Sequence, residues 1–256
     1  MHKRNPLFLH PLHYIPLISP GVNLPKILYD SVYKEGLTIE ENDVLVVTQK
    51  IVSKAENRLI NINDVKPSEK AKEISKCIRK DPRLIEIILK ESNEIVRLKK
   101  NTIIVEHRLG FICANAGIDH SNVENNLEGQ YLLLPENPDL SAQRIKEFIY
   151  KQTGKKIGVI IIDSQGRAWR NGIVGISIGL SGFPAIIDMR GKEDIYGFKL
   201  KITQIAAADE VAAAASILMG QTDEKIPAVL VRGFPYKLRE SSLRELLRPK
   251  AEDMFR

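Results

Sequence analysis

The sequence predicts a mixed α/β (α+β) fold, in which mixed β-sheets are covered by packed helices. Three observations lead to it. The runs VLVVT from Val44 and KIGVIIID ending at Asp163 are short and apolar with many β-branched residues, as strands buried on both faces are. The second of these runs follows a helical segment with a stop glycine, and a helix leading into a buried strand is an α/β signal. Between the two runs stand IVRL, TIIVE and GFICA, close enough together to form a β-meander.

In chain order, MHKRNPLFLHPLHYIPLISPG is broken by prolines and reads as an extended arm. Leu24 to Glu35 is a helix: Asn23 can cap it, Pro25 falls in its first turn, Ile27, Leu28 and Val32 share a side, and Gly36 ends it. After VLVVT, in QKIVSKAENR, lysines and a glutamate arrive as the strand runs out. Two helices follow, Ser68 to Arg79 with Ser68 as cap, and Pro82 to Glu91 with Leu84, Ile87 and Ile88 at helical spacing. The meander then delivers NAGIDHSNVE, placing Asp119 on a loop at a strand terminus. GQYLLLPENPD marks a boundary or a crossover, so a single domain over 1–256 would divide into two subdomains near 129–139. Beyond it, Asp139 can cap a helix running to about Gln152, Gly154 can stop it, and KIGVIIID follows with Asp163 at its exposed end. GIVGISIGLSG reads as a strand or as a strained loop where backbones approach closely. Ala206 to Met219 is an alanine-rich helix, GQTDEK a polar loop, IPAVLVRG a last buried strand, and LRELLRPKAEDMFR a short helix-like segment.

Composition narrows the function classes. With 43% hydrophobic and 27% charged residues in 256, the chain is neither disordered nor fibrous. A formal charge of +6 suits a polyanionic partner or a lysine-rich solvated surface. Only 6% of residues are aromatic and no basic-aromatic stretch offers a stacking face, so nucleic acid is not indicated. Cys77 and Cys113 lie in apolar sequence without a CxxC partner, which fits reduced thiols inside a cell. No apolar run approaches about 18 residues and the N-terminus lacks a signal-peptide core, so the expected compartment is the cytoplasm, with no membrane partner.

Chemistry-bearing residues gather at strand ends. Asp119 and Asp163 each stand where an apolar strand meets a glycine-containing polar loop; they are either turn-forming aspartates or ligands of a hard divalent cation such as Mg2+ or Mn2+. Ser164 and Asn122 could add neutral oxygens. Lys50 and Lys54, four residues apart, face either phosphate or solvent. Gly220 to Lys225 offers backbone N–H groups and the Gln221 amide. No GxxxxGK[ST], GxSxG or HExxH occurs, GISIGLSG lacks the Rossmann glycine spacing, and the five histidines show no ligand spacing. His120, beside Asp119, is the one histidine near these groups. Together the residues point to metal-assisted phosphate chemistry without naming a substrate.

Five segments in order, VVTQKIVSKAE, CANAGIDHSNVE, GVIIIDSQGRAWRNGIVGISIGLSG, EDIYGFKL and MGQTDEKIPAVLVRG, resemble the coenzyme F420:L-glutamate ligases, the F420-0:gamma-glutamyl ligase family, from about Ile15 to Gly233. The resemblance implies an α+β enzyme without a Walker motif that forms an intertwined homodimer. It implies GTP-dependent addition of L-glutamate to the phospholactyl tail of a deazaflavin coenzyme, through an acyl phosphate, with two divalent cations (Mn2+ or Mg2+) and K+. By position it makes Asp119, Asp163, Ser164 and Gln221 metal ligands, with Ser164 where a Thr is familiar and Gln221 where some members have Glu. Asp119, Asp163 and Lys54 become the catalytic set. Ile15, Pro16, Leu17 and Ile18, then Gln49, Lys50 and Lys54 of the loop after the first strand, then Asn122, become GTP contacts. The closing loop supplies Met219, Gly220, Gln221, Thr222, Asp223, Glu224, Lys225 and Ile226, and His120 becomes a bystander. The remaining alternatives are a relative that ligates an amino acid to another carboxylate, and a nucleotide- or RNA-binding protein without ligase chemistry.

Overall fold

The computed structural model describes residues 6–119 and 129–254. The first part runs β1 (Phe8–Pro11), α1 (Leu24–Lys34), β2 (Val44–Thr48), α2 (Gln49–Ala55), β3 (Leu59–Asn61), α3 (Glu69–Ile78), α4 (Pro82–Lys90), β4 (Ser92–Lys99), β5 (Thr102–His107) and β6 (Ile112–Ala114). The second runs β7 (Gln130–Leu132), α5 (Pro138–Thr153), β8 (Gly158–Arg167), β9 (Arg170–Ser181), β10 (Ile187–Asp188), β11 (Gln204–Ile205), α6 (Ala207–Met219) and β12 (Ala228–Arg232). The mixed α/β class is thus observed.

A five-stranded sheet in the order β1-β12-β2-β8-β9 forms the centre. β2 and β8 run parallel, with Val44 opposite Gly158 and Thr48 opposite Ile162, and the other pairings are antiparallel. Val44 to Val47, Val159 to Ile161 and Ala228 to Val231 have no exposed surface. Neighbouring side chains on a strand point to opposite faces, so such strands need cover on both. α5, backed by α1, and α6 supply it. Burying each Val or Ile contributes about 1.5–3 kcal/mol, which makes these strands the stabilising core.

β9 is where the two helices close in. Ser177 lies opposite Ile162 and Gly179 opposite Ile161, leaving Ile178 as the extra residue of a bulge. Asp209 of α6 accepts the Ser177 N–H at 2.9 Å, and Asp139 of α5 accepts the Leu180 N–H at 2.8 Å. Burial raises both carboxyl pKa values, and these hydrogen bonds oppose it. A Cβ on Gly179 would lie 2.3 Å from the Pro138 Cβ, so α5 can seat here only against a glycine. The alternative of a strained loop in GIVGISIGLSG therefore resolves to a strand with a bulge.

The meander appears as the antiparallel sheet β4-β5-β6, and GQYLLL supplies β7, which pairs with β3. Several expectations are corrected. QKIVSKA is not a loop but the helix α2, and Asp163 does not end its strand, because β8 continues to Arg167 in a hairpin with β9. Asn137 caps α5 through the Leu140 N–H at 3.0 Å, which frees Asp139 for β9. Cys77 is exposed, since Ala71, Ile74 and Ile78 take the buried stripe of α3; Cys113 is buried as expected. The C-terminal segment forms two one-turn 3-10 helices, Leu243–Glu245 and Lys250–Glu252, separated by a stretch that includes Pro249. The N-terminal arm contributes an edge strand, β1. Among the described residues no helix is long and apolar enough to cross a membrane.

One charged cluster ties α4, β5 and the β3–β7 pair together. Glu91 accepts from the Arg58 guanidinium at 3.0 Å and from Arg108 Nε at 3.0 Å, while Arg58 Nε donates to the Leu134 carbonyl. Burial alone would raise the Glu91 carboxyl, but hydrogen bonds from His107 and Arg108 and the Arg58 charge bring it to about 2. The folded value lies below the ordinary 4.5, so this stabilisation is full above that pH and fades as pH falls from there toward about 2. Glu91→Gln is expected to lose about 3 kcal/mol at pH 7 in urea melts, with the gap to the parent narrowing below pH ~4.5. A gap constant with pH would contradict this assignment. Asp209→Ala leaves the Ser177 N–H buried without its acceptor, and the same melts should show a loss of about 1–3 kcal/mol.

Candidate active site at the carboxyl edge of the central sheet

The register of the central sheet decides what meets at its edge. Because β2 and β8 are parallel, Thr48 and Ile162 end side by side, so the start of α2 and Asp163 share one edge. β12 enters antiparallel from that edge: Ala228 pairs with Val47, and the Thr48 N–H donates to the Pro227 carbonyl at 2.9 Å. The loop from Met219 to Ile226 therefore arrives there too. β1 leaves in the same direction, with Pro11 opposite Val229 and the Leu12 N–H bound to the Ala228 carbonyl, so the chain toward Ile15, Pro16, Leu17 and Ile18 departs from this edge. Ligands in open α/β sheets collect at such carboxyl edges.

Asp119 comes to the edge from the meander. Its backbone N–H and carbonyl bond both ways with Leu132, at 3.0 and 2.8 Å, and its carboxylate pairs with Lys50 Nζ at 2.8 Å. Burial pushes the Asp163 carboxyl up to about 6; the Asp119 charge adds to this, and hydrogen bonds from Gln165 and the Ser164 N–H together with the Lys50 charge oppose it. The two carboxylates thus sense each other across the site, with one lysine between them in charge. Cys113 lies behind Asp163, its thiol raised to about 12 by burial and by that carboxylate, which makes it an inert wall.

The remaining residues fall around this pair. Gln221 Nε2 donates to Ser164 Oγ at 3.0 Å, which joins the loop after α6 to β8. Lys50 and Lys54 stand one turn apart on α2, on one side of the helix. Gln49 is turned inward: it is 1% exposed, its Oε1 accepts from Ser53 Oγ at 2.9 Å, and its Nε2 has no hydrogen-bond partner among the described residues. Ile18 is buried and Leu17 is exposed. Gly220 has φ 67° and ψ −168°, a backbone region open essentially to glycine, and the Glu224 carboxylate, which accepts the Thr222 N–H at 2.8 Å, occupies the space a Cβ would need. Thr222 Oγ1 donates to Asp223, and Lys225 also has a positive φ, 58°, so the loop is tightly folded. Asn122 and His120 lie outside the described residues.

Gln165 was not expected at the site. Its Nε2 donates to Asp163 Oδ2 at 3.2 Å. Once β8 is known to continue past Asp163, a residue two positions on must face the same way, so the period of two would have found it. Among the described residues no cluster of three or more His, Cys, Asp or Glu side chains assembles. Two carboxylates, a hydroxyl and an amide form an all-oxygen donor set of the kind that hard divalent cations accept, with substrate or water oxygens completing the shell.

The comparisons with known proteins agree with this arrangement. The F420-0:Gamma-glutamyl ligase family matches residues 14–233. A coenzyme F420:L-glutamate ligase of Methanothermobacter thermautotrophicus is 43% identical over 244 residues, covering 94% of this chain and 96% of the relative. Proteins of the same name from Methanococcus maripaludis and Methanocaldococcus jannaschii are 46% identical (94% of each chain) and 45% identical (85% of this chain, 86% of the relative). The matched span takes in the described sheet-edge segments, from the arm after β1 to the loop before β12, and with the identities to these relatives it leads to one conclusion: the chain belongs to the F420-0:gamma-glutamyl ligase family.

Proposed function

We propose that this protein is a GTP-dependent ligase that adds L-glutamate to the phospholactyl tail of coenzyme F420-0. The observation that carries the reading is the meeting of Asp119, Asp163, Lys50, Ser164 and Gln221 at one sheet edge, on segments of a family whose relatives are named for this ligation. In the reaction, a tail carboxylate oxygen attacks the γ-phosphorus of GTP; a P–O bond forms, the bond to GDP breaks, and an acyl phosphate results. The glutamate amine then attacks the acyl carbon, a C–N bond forms, the C–O bond to phosphate breaks, and the amine gives up a proton.

Asp119 and Asp163 would hold Mg2+ or Mn2+, with Ser164 and Gln221 adding neutral oxygens toward a second ion, and K+ would assist. Bound there, the cations would screen the phosphate charges that nucleotide and acceptor bring together. Lys50 and Lys54 place cationic groups on the same side, and the Gly220–Ile226 loop, with the arm from Ile15 to Ile18, would enclose the nucleotide. The Lys50–Asp119 pair keeps one carboxylate charged beside a neighbour that burial favours protonated. Cation binding would require both carboxylates in their charged form.

Incubation with GTP, Mn2+, L-glutamate and the unglutamylated coenzyme should yield, by mass, a product one glutamyl residue heavier, with one GDP released per residue added. Asp163→Asn should lower the rate by about 100-fold or more with an unchanged circular dichroism spectrum. Release of GDP without a glutamyl product, or full activity in the variant, would refute the reading.

A homodimer fits the same proposal. Ile195, Tyr196 and Ile202, 90%, 89% and 87% exposed, crowd the segment between β10 and β11, more apolar surface than a free loop normally shows. Light scattering should report a dimer for the parent and a monomer for Ile195→Asp/Ile202→Asp; a parent monomer would exclude this assembly.

A further inference from the structure

The turn that carries Asp119 has the wrong hand for ordinary residues. Asn115, Ala116 and Gly117 have φ values of 51°, 54° and 63°, so three consecutive residues occupy the left-handed region and make a single left-handed turn. Only glycine accepts that region without a steric penalty, and asparagine tolerates it better than alanine does. Ala116 is nevertheless fully buried here. Such a turn persists only where its surroundings hold it, and backbone of this kind concentrates at functional sites.

The hold on the turn is specific. Lys80 Nζ, partly buried, donates to Asn115 Oδ1 at 3.0 Å and to the Asn101 carbonyl at 2.9 Å. Asn115 Oδ1 also accepts the Ile103 N–H at 3.3 Å, so one side-chain oxygen joins α3's exit, the β4–β5 turn and the left-handed turn. The Ile118 N–H closes on the Asn115 carbonyl at 3.1 Å, and Leu134 packs so near Gly117 that a Cβ would meet its Cδ1 at 2.8 Å. Two residues later Asp119 bonds to Leu132 through both backbone groups. Asp119 is therefore fixed on one side by β7 and on the other by the turn, and the turn by Lys80.

We propose that Lys80 is a positioning residue of this enzyme: through Asn115 it holds the left-handed turn that aims the Asp119 carboxylate into the site. The inference rests on Asp119 being a cation ligand, as set out under Proposed function. Lys80 touches no reacting atom; its hydrogen bonds to neutral oxygens orient a ligand, as outer partners of metal ligands do, and losing such a partner typically lowers metal affinity or activity by about 10–100-fold.

The test compares Lys80→Met, Lys80→Arg, Asn115→Gly and Asp119→Asn in the full chain, by Mn2+ binding followed by electron paramagnetic resonance, by kcat and KM for GTP, and by thermal melting. Asn115→Gly removes the anchoring oxygen but relieves the backbone at φ 51°, so its melting temperature should hold or rise while Mn2+ affinity drops by about tenfold or more. Lys80→Met should lose Mn2+ affinity and kcat with little change in KM for GTP, and Lys80→Arg, which keeps donors in place, should recover most of both. If Asn115→Gly and Lys80→Met bind Mn2+ as the parent does while Asp119→Asn does not, the positioning role is overturned. If Asp119→Asn itself binds Mn2+ normally, the ligand assignment fails and the inference falls with it.

Discussion

The parallel pairing of β2 with β8 is the constraint on which the rest depends. It sets the core, because both strands are apolar along their paired length and require helices on each side. It also sets the site, because parallel strands end together, so whatever follows Thr48 and Ile162 must share one edge. Antiparallel β12 and β1 then bring the loop after α6 and the N-terminal arm to the same edge. A shift of one residue in this register would turn every core side chain to the other face and separate Lys50 from the carboxylates. Stability and function therefore use the same hydrogen-bond ladder.

The acidic side chains divide into groups with different physical roles. Glu91 is surrounded by Arg58, Arg108 and His107, and its low value marks a carboxylate satisfied by its neighbours. Asp139 and Asp209 bind backbone N–H groups, which do not repay the full cost of burial, so their values rise. Asp163 is raised as well, beside a second carboxylate and with Lys50 as a charged neighbour. The first group holds the fold together, whereas a raised pair of carboxylates facing an edge where loops converge has the balance expected of a cation site.

Much of this was legible in the sequence. VLVVT, KIGVIIID and IPAVLVRG announce buried strands through uninterrupted apolar character, and Asn23, Ser68 and Gly154 mark helix ends through their own local hydrogen bonds or backbone freedom. What local signals could not give was continuity set by distant partners. α2 is seven residues long, has no side-chain cap at Thr48 and includes β-branched Ile51 and Val52, so its helicity comes from packing rather than propensity. β8 continues through the polar SQGR because β9 offers it a ladder. Asp139 reads as a cap in sequence, yet Asn137 takes that place and Asp139 reaches another strand. At the site, residue types and order were visible, but that Lys50 pairs with Asp119 and Gln165 supports Asp163 depended on register.

The hydrogen bonds that Asp139 and Asp209 make to β9 carry a further consequence, for solubility. β9 is an edge strand, twelve residues long, and long edges invite a strand from another molecule to add on. Near the bulge, the Ser177 and Leu180 N–H groups are already bound by carboxylates from two helices, so a strand approaching there finds those donors taken. At the opposite edge, β1 is only four residues long and ends in Pro11, which has no N–H to offer. Both borders of the sheet are thus closed to sheet extension by chemistry already present in the monomer, and aggregation through these edges would first have to undo the contacts that seat the helices.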